Sequence, residues 1–208
     1  MIRKAENLVS KGEGHLFKAY LGNEWSKIHP NIQKRFSQDP SYNRPISYSG
    51  AMSIVYCSIF GKILAYITKR TGALQPYKGI DVPVDIIVSA QSGIEGVFKQ
   101  RTYYFRNKKP FHFNSHMVMR DGKLLEFVGG GFGMNIDIEV RDGDLHFFDG
   151  GYFLNVGRMR IPLPDLFSPG KTHLIHKNID DKSFEITINI NHRLFGKMFH
   201  QKGVFRHA

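Results

Sequence analysis

His112, Asn114 and His116 stand at spacings of two and four, which on a β-strand returns all three to one side. Polar side chains so placed can line a cavity or an outer face. They are not a metal pair by themselves, because residues i and i+4 of a strand lie about 13 Å apart and zinc needs each nitrogen at about 2.0–2.1 Å. A metal would require other strands to bring His173, His176, His200 or a carboxylate alongside. Arg101 offers different chemistry. It shares a strand face with Lys99, Tyr103 and Phe105. An arginine beside aromatic rings can clamp a carboxylate or phosphate while the rings cover the ligand's carbon chain. The candidate ligand-binding set is therefore Arg101, Tyr103, His112, Asn114, His116 and His176. A second reading makes His112, His116 or His176 a general base beside Arg101, provided these side chains converge on one cavity point.

Other motifs carry less. Gly129-Gly130-Gly131-Phe132-Gly133 sits between two strands, whereas a phosphate-binding loop must lead into a helix N-terminus. The run reads as a bulged hairpin or sharp bend, as does Asp149-Gly150-Gly151. No Gly-x-Ser-x-Gly elbow occurs, Cys57 has no activating motif beside it, and Asp137 and Glu139 fall on the wet face of a strand. No catalytic residue, metal or cofactor is assigned.

The elements that must position these residues are mostly strands. From Val82 onward short runs alternate apolar and polar residues, separated by turn chemistry such as Ser92-Gly93, Asp121-Gly122 and Asp142-Gly143. Val82, Val84, Ile86 and Val88 form one apolar face, Phe132 to Val140 a second, and Phe184 to Ile190 a third. Counting Ile46–Tyr56, with Gly50 read as a bulge, the spacing predicts eight to ten strands. Leu16, Phe17, Tyr20 and Leu21 form a helical stripe ending at Gly22, followed by short helical segments around Trp25–Ile28 and from Pro30 to Phe36. Ser58 caps the strongest helix, with Ile59, Phe60, Ile63, Leu64 and Ile67 on one face, Lys69 and Arg70 at its C-terminus, and Gly72 ending it.

The predicted fold is α+β: a strongly curved, barrel-like antiparallel sheet, with N-terminal helices and the 58–71 helix packed on its concave side. A helix-grip fold would end on a long C-terminal helix, and none follows Phe184. The 208 residues fit a single domain, with 1–13 loosely ordered, 14–72 carrying helices and the first strand, and 82–206 the antiparallel sheet.

The formal charge of +11 is uneven. From Phe98 to Arg120 there are six basic residues and no acid, and the tail from His192 is basic again, while Asp121–Asp149 holds seven carboxylates. Nucleic-acid or peripheral anionic-membrane binding through the basic segments is the third functional reading; nucleic acid is not expected, because the acidic stretch repels the same ligand. No stretch approaches the ~20 apolar residues of a membrane span. The basic N-terminus leads into no apolar signal region, and the lone Cys57 forms no internal disulfide, so a cytoplasmic location is expected.

Four segments carry a resemblance. They are Leu16-Phe17 through Leu21-Gly22, Trp25, Ile28 and Pro30; Lys99-Gln100-Arg101-Thr102-Tyr103-Tyr104-Phe105; Ile161-Pro162-Leu163-Pro164-Asp165-Leu166-Phe167-Ser168-Pro169; and Phe184-Glu185-Ile186 leading to Leu194-Phe195-Gly196. Together they resemble the bacterial domain of unknown function family 4166 over residues 14–206. Its members stand alone or trail saccharopine-dehydrogenase-like NAD(P)-binding domains. The family often has a glutamate shortly before Phe184, where this chain reads His176-Lys177-Asn178. The resemblance implies a possible reductase partner and supplies no activity. With 17 Phe, 9 Tyr and 7 Met in a curved sheet, the leading expectation is non-catalytic binding of a small apolar or amphipathic, lipid-like anion.

Overall fold

The computed structural model describes residues 12–41, 43–68, 72, 74–157 and 159–208. Eleven strands and three α-helices follow one another in the order α1 (Glu13–Leu21), α2 (Pro30–Phe36), β1 (Ile46–Cys57), α3 (Ile59–Ile67), β2 (Gly79–Ser89), β3 (Val97–Tyr103), β4 (Phe111–Arg120), β5 (Lys123–Gly129), β6 (Phe132–Arg141), β7 (Asp144–Val156), β8 (Met159–Pro162), β9 (Lys171–Asn178), β10 (Ser183–His192) and β11 (Gly196–His207). A 3₁₀ turn spans Gly22–Lys27 and another Asp165–Phe167. Every pairing is antiparallel. Strands β1 to β7 run as a meander, apart from the α3 excursion between β1 and β2. β9 then pairs with β7, β10 with β9, β11 with β10, and β11 returns to β1. Ten strands thus close into a barrel and leave only short β8 to flank β7, so few backbone groups lie on a free edge.

The period-two faces are where alternation puts them: Val82, Val84, Ile86 and Val88 are all buried. Gly50 is not a bulge. It keeps register with both Phe205 and Val84, and the irregularity lies at Met52/Ile54. Its reason is proximity: a Cβ there would come within 2.1 Å of the Val204 carbonyl oxygen, at the β1–β11 seam. Gly129, Gly130 and Gly131 do form a bulged hairpin, with φ of 102°, 58° and 82°, angles that side-chain-bearing residues rarely adopt.

One end of the barrel is closed by α1 and α2. Phe17 of α1 is fully buried against Phe36 and Phe147, with ring centroids 5.0 and 5.4 Å apart. Glu13 is buried and opens α1, so the loosely ordered start expected for residues 1–13 does not extend to it; residues 1–11 lie outside the described residues. At the opposite end, the Ser58 hydroxyl caps α3 as expected by accepting from Gly61 N at 3.0 Å. The helix does not bury its apolar face. Only Gly61 and Ala65 are buried, through contacts on the β11 side, while Ile59 and Ile67 are each 75% exposed. α3 ends at Ile67, and Lys69 and Arg70 lie outside the described residues.

Candidate functional site

Inside the barrel, β3 points Lys99 and Arg101 inward, one strand period apart. Both are long cations in an apolar interior, and their partners come from elsewhere in the chain. Glu126 on β5 lies 3.5 Å from the Lys99 ammonium and 3.8 Å from the Arg101 guanidinium. Glu13, brought in by α1, lies 3.1 Å from Lys99. Arg101 also donates to the Ser115 hydroxyl at 3.1 Å and rests over the Phe113 ring. Burial pushes the Glu126 carboxyl up, but Lys99, Arg101 and Ser115 outweigh it and hold the group below the usual carboxylate range. The four groups are two cations and two anions, so they sum to zero.

This polar girdle separates two spaces. Toward the α1–α2 plug lies a chamber of about 110 Å³ containing Phe36, His176 and Phe184. On the other side is a cavity of about 600 Å³ that opens at the α3 end, where the exposed Ile63, Ile67, Leu166 and Phe167 border it. Its walls are apolar, with Met134, Leu174, Ile188 and Met198 among them. Polar groups gather where the girdle forms its floor. Arg101 and Glu126 face it, and beside them buried Tyr103 donates to Gln201 Oε1 at 2.9 Å. Tyr152 and Thr172 share a hydroxyl–hydroxyl bond on the wall. Burial raises the pKa of both tyrosines, with a smaller opposing effect from Arg101 at Tyr103 and from Thr172 at Tyr152, so both phenols stay protonated. The Gln75 Nε2 group, buried on the same lining, has no hydrogen-bond partner among the described residues.

The structure divides the predicted set. Arg101 and Tyr103 meet at the cavity floor. His176 points inward but into the smaller chamber, stacked 4.7 Å from Phe184. His112, Asn114 and His116 do share one face of β4, as their spacing requires, but it is the outer one. The inward face carries Phe113, Ser115 and Met117. His112 contacts the Thr102 hydroxyl at 3.1 Å, Asn114 is exposed, and His116 bonds the Glu95 carbonyl at 2.8 Å while stacking on Phe98. His112 and His116 therefore do not converge with Arg101, while His176 borders the smaller chamber that Arg101 also lines. A metal cluster is likewise absent among the described residues; His146 and His173 do meet, at 2.9 Å, without a third ligand.

The predicted set omits Gln75 and five other lining groups. Glu126 was legible, since it shares a face with Leu124 and Val128, an anomalous place for a carboxylate. Tyr152 and Thr172 follow bends that reset the alternation, and Glu13 and Gln201 depend on which distant element meets them.

No helix among the described residues is long and apolar enough to cross a membrane. No curated protein matches the chain. The family described as Domain of unknown function (DUF4166) matches residues 28–205, and the chain belongs to that family.

Proposed function

We propose that the barrel binds one small apolar or amphipathic, lipid-like molecule in its larger cavity, polar end toward Arg101 and Glu126. The observation that carries this reading is an open cavity of about 600 Å³ with apolar walls and a polar floor. That volume lies within the range of roughly 300–1,000 Å³ typical of small-molecule sites. The expected anion follows from Arg101 beside aromatic rings as a clamp for a carboxylate or phosphate. With Glu13 and Glu126 balancing Lys99 and Arg101, a neutral head that accepts and donates hydrogen bonds, such as a hydroxyl or carbonyl, fits better than an ionised one. Adding a net charge to a balanced buried network is costly.

Native mass spectrometry of the purified protein, followed by organic extraction, tests the proposal. A bound species of stoichiometry one is expected, and it should be less well retained by Met134→Trp, whose larger side chain narrows the cavity. Absence of any bound species, together with no thermal shift from long-chain alcohols, acids or their esters, would overturn it.

A further inference from the structure

We infer that the mouth of the barrel docks on the surface of an anionic lipid bilayer. Three segments ring that mouth: α3, the Asp165–Phe167 turn and the Arg193–Phe195 turn. They present Phe60, Ile63, Ile67, Leu166, Phe167 and Phe195, whose exposures run from 40% to 75%. The three belong to one surface, because all six residues border the same cavity and Phe60 stacks on Phe195 at 4.3 Å. Scattered exposed apolar residues need no explanation, but a contiguous set around a pocket mouth marks an interaction site.

Charge selects the occupant. Close to these rim residues in the chain are Lys62 on α3, Arg193 in its turn and Lys197 at the start of β11, and none of the three has an ion-pair partner among the described residues. α3 contains no acid, nor does the stretch from Arg193 to Lys197. Asp165, in the rim turn, lies 3.5 Å from the Lys171 ammonium. An amphipathic surface with apolar tips and flanking cations matches the headgroup–acyl boundary of an anionic bilayer. It suits a second copy of this chain poorly, since the same cations would face each other across a twofold axis. This inference extends the cavity proposal by giving a lipid-like ligand a route of entry, but its test is separate.

The test is co-sedimentation with phosphatidylcholine vesicles containing, or lacking, a third of phosphatidylglycerol. Binding is expected to the anionic vesicles and to weaken as salt is raised. The double variant Ile63→Asp/Ile67→Asp should bind more than about tenfold less, since two side chains lose their burial. Arg193→Glu/Lys197→Glu should lose the preference for anionic lipid, and Lys182→Glu, on the hairpin at the opposite end, should bind as the parent does. Trp25 fluorescence checks that each variant is folded. No sedimentation of the parent, equal binding by the rim variants, or concentration-dependent dimerisation through this face without vesicle binding would each overturn the inference. A co-purified ligand together with failed sedimentation would sink membrane docking and leave the cavity proposal standing.

Discussion

Replacing His176 with Phe should remove much of the barrel's sensitivity to acid while costing nothing at neutral pH. The imidazole is buried between the Phe36 and Phe184 rings, at 4.9 and 4.7 Å, and its Nδ1 has no hydrogen-bond partner among the described residues. Burial foremost, then the nearby Arg35 and Lys99 charges, push its pKa from 6.5 down to about 3. Below 6.5 the unfolded chain takes up a proton that the folded chain refuses, so stability falls as pH drops from about 6.5 toward about 3 and levels off beneath. At about 1.4 kcal/mol per unit, the whole window is worth on the order of 4–5 kcal/mol, and the portion lost by about pH 5 is roughly 2 kcal/mol. That is a large share of a typical domain's stability of about 5–15 kcal/mol. Urea unfolding followed by Trp25 fluorescence at neutral and mildly acid pH reads it directly. The parent should lose roughly 2 kcal/mol more than His176→Phe on acidification, since the carboxylates contribute equally to both. At neutral pH Phe preserves the aromatic stack and removes an unpartnered buried nitrogen, so parity or a small gain is expected. Equal acid losses in the two proteins would refute the reasoning.

Glu126→Gln should destabilise the barrel by about 3 kcal/mol, because it leaves Arg101 buried without its carboxylate and Lys99 with Glu13 alone. Adding Arg101→Met leaves the Lys99–Glu13 pair intact and should recover most of the loss in the same urea assay; a strictly additive double variant would count against coupling. Gly50→Val should prevent soluble folding or lower the melting temperature by many degrees, since its Cβ alone meets the Val204 carbonyl oxygen at 2.1 Å. An unchanged melting temperature would show that the β1–β11 seam can open without penalty.

The strands were legible because alternation is a local property. Val82–Val88 and Phe184–Ile190 needed no distant information to be placed, and closure followed from a chain rich in strands with no helix to cover an edge. The faces of the site strands were harder. On β4 the spacing grouped His112, Asn114 and His116 correctly, but polarity suggested a lined pocket when the apolar partners Phe113 and Met117 mark the opposite face as interior. On β3 the rule reverses, with Lys99 and Arg101 inside. What makes that tolerable is Glu126 two strands away and Glu13 on a helix more than eighty positions earlier, and no local window contains those partners. α3 failed for a related reason. Its apolar face is strong by composition, yet only Gly61 and Ala65 are buried, and Leu64 is partly covered by the Cys57, Met198 and Phe199 cluster.

The cavity itself follows from strand number. Eight strands enclose an interior that side chains can just fill, and diameter grows roughly in proportion to strand count, so a ten-stranded barrel is left with unfilled volume. One half of that surplus is taken up by Phe17 and Phe36 from the helical plug. Lys99 and Arg101 lie between the plug and the remaining space, held there by Glu13 and Glu126. Such a buried network adds little to stability compared with apolar packing of the same volume. Its structural effect is to stop the core from filling the remaining half and to set hydrogen-bonding groups at the bottom of an apolar well. A purely apolar well would hold a hydrocarbon in any orientation. Under the proposed binding, a floor of Arg101, Glu126, Tyr103 and Gln201 would give the bound molecule a defined inner end and leave its apolar end toward Phe60, Ile63 and Phe167 at the mouth.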